Sequence, residues 1–199
     1  MPTRAAAPLL VRKVVVGAGW YAVAPLRRLL TGVARGGGRR ARAPGAPRSV
    51  TFLLSSAWGV GGTIRAVLNL AGHLAAHGYD VLVITTYRRR EQAFFGDFPA
   101  GVTVVALDDQ RPGGARRAGR APAARALGRV PSVLMHPADP LSRNASLWTD
   151  VCLVRLLRRR DGYLIGTRPA FNLIAAAMSG RRLFAVGQEH LHMRAHDPC

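Results

Sequence analysis

The sequence predicts an α/β domain with a mostly parallel sheet and helices on both faces, preceded by a basic leader. Two observations support this fold class. Short apolar runs rich in strand formers alternate with longer segments whose apolar residues recur at helical spacing. Glycines stand where several of the helical segments should end. A helix between two strands returns the chain to the same end of the sheet, so strands in this order pair in parallel.

The domain begins with a strand, a glycine-rich turn and a helix at 49–77. The strand is the apolar run at 50–54, and the turn contains Gly61 and Gly62. Thr63 follows, and we expect it to be the helix N-cap. Such a turn lets backbone N–H groups approach a phosphate, and the helix dipole favours negative charge there. The alternative is a tight turn that needs glycine for its backbone angles and binds nothing.

Four more strands and two more helices follow along the chain. The predicted strands are apolar runs at 80–86, 102–107, 163–166 and 183–187. One predicted helix begins after a cap at Asn144 or Ser146 and ends at about Arg160. Its last turn is a run of arginines, and their positive charge is favourable at the negative end of the helix dipole. The other begins after Thr167, its expected N-cap, with Pro169 near its first position.

The positive charge is concentrated in two segments that contain no acidic residue. The chain has 29 Lys and Arg against 10 Asp and Glu, which gives a net charge of +19. Residues 1–48 hold ten of the basic residues and residues 111–129 hold six, so the remainder has a net charge of +3. We therefore predict a basic, Gly/Pro/Ala-rich leader and linker at 1–48, and a domain at 49–199 with a flexible basic loop at 110–132.

The leader contains an uncharged run at 14–26 between basic pairs, which is too short to span a bilayer. Three interpretations stay open: a poorly ordered leader, a segment on an anionic membrane surface with Trp20 and Tyr21 at headgroup level, and a signal peptide, against which Pro25 argues. The two cysteines give neither a disulfide framework nor a metal spacing. We expect a cytoplasmic protein, peripheral on the inner face of the plasma membrane if the leader binds lipid.

Two other function classes fit the motifs less well. The glycine turn lacks the dinucleotide fingerprint, because Ile64 stands where the third glycine belongs and Thr85 and Thr86 end the second strand. This argues against a nicotinamide-dependent oxidoreductase. Nucleic acid is an unexpected partner, since aromatic residues are not interleaved with the arginines. A polyanion-binding protein that uses its arginine-rich segments remains the alternative function.

Polar residues are predicted at the edge formed by the carboxyl ends of the strands, where such sheets bind ligands. They belong to the loop at 55–63 and to the turn at 188–192. In that turn His190 follows an apolar strand, beside Glu189. A histidine there is either an ordinary hydrogen-bonding residue or a ligand contact. Neighbouring histidines do not have the spacing of a known zinc pattern, so we expect no metal.

Two stretches of the sequence resemble family-4 (retaining) glycosyltransferases of the GT-B fold. The first, GGTIRAVLNLAGHLAAHGYDVLVIT, is similar to the family's Gly-Gly-x-x-Arg turn, its helix with Leu-Ala-x-x-Leu and the following Gly-His/Tyr-x-Val. The second, TRPAFNLIAAAM with LFAVGQEHLH, resembles the family's small-residue helix and the strand that ends in histidine. The resemblance covers about 50–192, and 87–145 match only in outline.

The resemblance implies that the chain is the Rossmann-like, acceptor-side half of a two-domain enzyme. The other half, a C-terminal donor-binding domain with a Glu-x7-Glu motif, does not occur in the sequence before Cys199. We therefore expect this chain alone to be inactive or nearly so. The implied partners are a nucleotide-sugar donor and a glycan, polyol-phosphate or lipid-linked acceptor, with no tightly bound cofactor and no metal.

The resemblance also implies roles for seven residues. Gly61 and Gly62 would face the donor diphosphate and stabilise charge on the leaving group, with Arg65 close by. His190 would lie beside the transferred sugar as the catalytic residue. The candidates for the acceptor side are Trp58, Arg168 and Glu189.

Overall fold

The computed structural model describes residues 19–36, 48–112 and 121–189, and these form an α/β structure around one parallel sheet. The sheet has five strands in the order β3-β2-β1-β4-β5, and every neighbouring pair is parallel. The strands are β1 (Ser49–Leu54), β2 (Asp80–Arg88), β3 (Val102–Asp109), β4 (Gly162–Gly166) and β5 (Leu183–Gly187). This confirms the predicted Rossmann-like, parallel fold class.

Helices cover the sheet on both faces, as predicted. They are α1 (Ala24–Arg35), α2 (Gly62–Ala76), α3 (Pro122–Leu127), α4 (Leu147–Leu157) and α5 (Pro169–Met178), with a 3-10 turn at Pro140–Asn144. The core cluster on one face includes residues of α2, and the cluster on the other face includes residues of α1, α4 and α5. The sheet is therefore the middle layer of three.

Strand β1 lies at the centre of the sheet, and all six of its residues are buried. Successive strand residues point to opposite faces, so Phe52 packs in the cluster of α2 and Leu53 in the cluster of α4 and α5. The chain leaves β1 through α2 towards β2, and leaves β4 through α5 towards β5 on the other side. The crevice between the loops that follow β1 and β4 is thus the switch point at which such sheets bind ligands.

Part of the segment that the sequence assigns to the leader is packed on the domain. Helix α1 contacts α4 and α5, and Ala34 is completely buried. Arg182 Nη2 donates a hydrogen bond of 2.8 Å to the carbonyl oxygen of Ala34. Helix α1 therefore belongs to the folded unit, because its less charged face covers apolar surface on its neighbours.

The aromatic residues of the leader differ in their surroundings. Trp20 lies 4.8 Å from the ring of His136, and the guanidinium of Arg27 lies 3.7 Å above its indole. Tyr21 is 74% exposed. Within the described residues, no helix combines the length and the apolar character needed to cross a membrane. The beginning of the uncharged run at 14–26 lies outside the described residues.

The basic loop predicted at 110–132 contains one helix, which corrects the expectation that it lacks fixed structure. Helix α3 begins with Pro122 in its first turn and packs on α4, where Ala124 is 5% exposed. Alanine and arginine are strong helix formers, and proline is favoured at a helix start. Residues 113–120 of this loop lie outside the described residues.

Candidate functional site at the carboxyl edge of the sheet

The loops that follow β1, β4 and β5 start side by side at one edge of the sheet. Leu53 pairs with Gly166, and Gly166 pairs with Gly187. Neighbouring strands lie about 4.8 Å apart, so the residues that follow these positions begin within about 10 Å of one another. The structure thus brings the glycine turn and Glu189 to the same edge, as predicted. His190 lies outside the described residues.

Helix α2 begins without a side-chain cap. Its N-cap is Gly61 and its first residue is Gly62, so the prediction that Thr63 caps the helix is wrong. Gly61 has φ 154° and ψ 149°, a conformation that essentially only glycine adopts. A β-carbon on either glycine would meet no atom within 4 Å. The N–H groups of this first turn have no intrahelical acceptor and are available to an anion.

Helix α5, on the other side of the switch point, also begins without a side-chain cap. Its N-cap is Arg168, so the prediction that Thr167 caps it is wrong. The Thr167 hydroxyl instead donates a hydrogen bond of 2.7 Å to the carbonyl oxygen of Leu53. This bond joins β4 to β1 at the crevice. Two helix N-termini without acidic residues in their first turns therefore lie at this edge.

Arg168 adds a cation to the edge. Its Nη2 lies 3.2 Å from Oδ1 of Asp139, which in turn accepts a hydrogen bond of 2.8 Å from the N–H of Leu141. The ion pair holds the guanidinium at the start of α5. Its Nε is buried and has no hydrogen-bond partner.

Two polar side chains lie near Glu189: Asn172, which the sequence did not single out, and Gln188, which belongs to the predicted turn at 188–192. Asn172, in the first turn of α5, donates from Nδ2 to Glu189 Oε1 at 2.9 Å. Its amide packs against the ends of β4 and β5, where a β-carbon on Gly166 would clash with Asn172 Oδ1. Asn172 Oδ1 and Gln188 Oε1 are both buried without a hydrogen-bond partner. Among the described residues, three of the five such atoms therefore gather around α5: these two and Arg168 Nε.

Two predicted site residues lie apart from this group. Trp58 is 6% exposed, with its ring edge-to-face on Phe98 at 5.3 Å and the Arg88 guanidinium 4.7 Å above it. Arg65 is exposed on α2, and its guanidinium lies 5.5 Å from the ring of Phe95. Both side chains therefore contact the segment between β2 and β3.

The side chains of a polar cluster at the end of β3 make hydrogen bonds with one another. Arg111 makes two side-chain hydrogen bonds to Asp109, of 2.9 and 2.7 Å, and lowers the pKa of that carboxyl to about 2. Gln110 Nε2 donates to Asp108 at 3.0 Å, and Arg89 Nε donates to Gln110 at 3.1 Å. This cluster closes the ends of β2 and β3. Within the described part of the chain, no group of three or more His, Cys, Asp or Glu side chains could hold a metal ion.

Comparison with known proteins gives one informative relative. No family model matches the sequence, and no solved structure matches it. A protein of Streptomyces coelicolor named "exopolysaccharide phosphotransferase" is 36% identical over 149 residues. The match covers 71% of this chain, and the chain spans only 15% of the length of that relative. The chain therefore has a distant homologue whose name is that of a transferase. The chain itself has a parallel α/β fold.

Proposed function

We propose that the chain is the acceptor-side half of an enzyme that transfers a sugar from a nucleotide-sugar donor to a cell-envelope glycan or a membrane-associated acceptor. The observation that carries the proposal is the group of buried polar atoms without hydrogen-bond partners around the start of α5, beside the switch point. One is a donor, Arg168 Nε, and two are acceptors, Asn172 Oδ1 and Gln188 Oε1. Buried polar atoms rarely lack partners, and the hydroxyl groups of a sugar can serve both kinds.

The glycine turn supplies the second part of the argument. A diphosphate that leaves during transfer gains negative charge, and fixed N–H donors at a helix N-terminus stabilise such charge. The open space around Gly61 and Gly62 allows a phosphate to approach the backbone. In this proposal the donor is held mainly by a second domain with Glu-x7-Glu, and His190, Arg168 and Glu189 face the sugars across the cleft.

The name of the relative favours a second version of the reaction. In glycosyl transfer the bond between the anomeric carbon and the diphosphate breaks, the acceptor oxygen takes the sugar and loses its proton, and a nucleoside diphosphate leaves. In sugar-phosphate transfer a phosphorus–oxygen bond of the diphosphate breaks, the acceptor oxygen takes the sugar phosphate and loses its proton, and a nucleoside monophosphate leaves. Identifying the released nucleotide in a reaction of a protein that contains both halves distinguishes the two.

Binding of a nucleoside diphosphate to this chain tests whether the glycine turn at Gly61 and Gly62 is a phosphate site. We expect millimolar UDP, GDP or ADP to shift the backbone amide NMR signals of Gly61 and Gly62. Gly62→Ala adds a methyl group in the open space and should weaken binding about tenfold. Gly32→Ala is the matched control, because Gly32 is also a helical glycine with nothing within 4 Å of its β-carbon position.

Three outcomes would contradict the proposal. One is equal weakening by both glycine variants, which would indicate a general effect on the fold. The second is stabilisation by NAD instead of nucleoside diphosphates. The third is binding of any polyanion with a steep dependence on salt, which would favour the polyanion-binding alternative.

A further inference from the structure

A groove of about 450 Å³ runs between the outer edge of β3 and helix α4. Strand β3 is an edge strand of the described sheet, so this side of it has no neighbouring strand. The apolar wall of the groove consists of Val105, Leu107, Trp148 and Leu156, which are all partly exposed. The volume lies within the range of about 300–1,000 Å³ that is typical of small-molecule sites.

Two arginines line the same groove. Arg155 lies in the last turn of α4, Arg159 follows the end of that helix four positions later, and both are exposed. Neither makes a salt bridge with another described residue. The acidic residue of the lining, Asp109, is neutralised by its two hydrogen bonds with Arg111. The groove therefore combines an apolar wall with two positive charges that no neighbouring carboxylate balances.

We propose that this groove binds a single-chain lipid phosphate, with the hydrocarbon chain against the apolar wall and the phosphate between Arg155 and Arg159. Burial of the chain supplies affinity roughly in proportion to apolar area, and charge-assisted hydrogen bonds to guanidinium groups select the phosphate. Inorganic phosphate lacks the first contribution and a cationic amphiphile lacks the second. The groove lies at β3, two strands away from the switch point at β1, and its ligand is defined without reference to the transfer reaction.

Cys152 lines the groove, so the rate at which its thiol is alkylated measures whether a ligand occupies the groove. In a Cys199→Ser background it is the only thiol of the chain. We expect monomeric dodecyl phosphate, at saturation, to slow alkylation of Cys152 by N-ethylmaleimide about tenfold or more. Inorganic phosphate and dodecyltrimethylammonium at the same concentration should change the rate less than about twofold.

Paired variants test the role of the two arginines. The double variant R155Q/R159Q should weaken dodecyl phosphate binding about tenfold or more. The matched control R158Q/R181Q removes two exposed arginines that do not line the groove, and should change binding less than about twofold.

Several results would overturn the proposal. Equal loss of binding in both double variants would indicate attraction by net charge alone. Protection of Cys152 by dodecyltrimethylammonium would indicate non-specific insertion of a hydrocarbon chain. Protection by phosphatidylglycerol vesicles but not by monomeric dodecyl phosphate would indicate contact with a bilayer surface instead of a bound lipid. None of these measurements depends on transferase activity, so a failure here and a failure of the proposed function are distinguishable.

Discussion

Replacement of the buried aspartate of α4, Asp150→Asn, should change how stability depends on pH. Asp150 is 3% exposed. Its Oδ1 accepts a hydrogen bond of 2.6 Å from the Ser132 hydroxyl, and its Oδ2 accepts from the N–H groups of Val133 at 2.7 Å and Leu134 at 3.3 Å. Burial raises the pKa of the carboxyl from 3.8 to about 6, although these three hydrogen bonds lower it.

The sign of the effect follows from the two pKa values. The folded protein binds this proton more tightly than the unfolded chain, so the stabilisation is complete below pH 3.8 and is lost as the pH rises through about 6. A shift of about two pKa units corresponds to roughly 3 kcal/mol. Asparagine does not titrate, and its amide can donate to the Ser132 hydroxyl while its oxygen accepts from the backbone N–H groups.

The assay compares urea denaturation of the two proteins at several pH values. We expect the unfolding free energy of Asp150→Asn, minus that of the unsubstituted protein, to rise by roughly 2–2.5 kcal/mol between pH 4 and pH 7. Other titrating groups are common to both chains and cancel in the difference. A difference that stays constant over this range, or that falls with pH, would refute the argument from burial.

Three further predictions concern single side chains. Asp109→Asn should lower stability above pH 4 and have progressively less effect as the pH falls through about 2, because Arg111 lowers the pKa of this carboxyl. Gly162→Ala should cost about 3 kcal/mol or more in urea denaturation, since its β-carbon would clash with the backbone oxygen of Ser49 in β1, whereas Gly78→Ala, at a similar φ in open space, should cost about 1 kcal/mol. Arg182→Gln should increase hydrogen exchange in α1, because it removes a hydrogen bond to the last turn of that helix.

Local sequence patterns predicted the elements of the sheet well. The strand predicted at 183–187 matches β5, and the run at 102–107 lies within β3. Ser146, one of two predicted caps, forms a capping box with Thr149 at the start of α4. These features depend on neighbours within a few residues, so the sequence contains the information that determines them.

Two of the features that differ from the expectations drawn from the sequence depend on distant parts of the chain. Thr167 has the sequence context of a helix cap, but its hydroxyl bonds to Leu53, which is 114 residues away. Helix α1 has the composition of a solvated leader, yet Ala34 is buried against helices that come more than 100 residues later. Propensity cannot reveal such contacts, because tertiary packing overrides it.

The difference between local pattern and tertiary packing also explains how much of the site could be predicted. The carboxyl edge and its glycine turn followed from the strand order. Gln188 belongs to the predicted turn at 188–192, but its unpaired oxygen and the whole of Asn172 could not be predicted, because burial is a property of the folded chain. Gly166 and Gly187 were a usable signal, since small residues at two neighbouring strand ends allow a side chain to pack closely there.

The central position of β1 has a consequence for the order of folding during synthesis. The three strands β1, β2 and β3 lie within 49–109 and can pair as soon as they leave the ribosome, but the other edge of β1 waits for β4 at 162–166. At a synthesis rate of about 5–20 residues per second, that edge stays unpaired for roughly 5–20 s. A local β-hairpin forms in about 1–10 μs, so the nascent chain exposes an apolar strand edge long enough for a wrong partner to bind before β4 arrives.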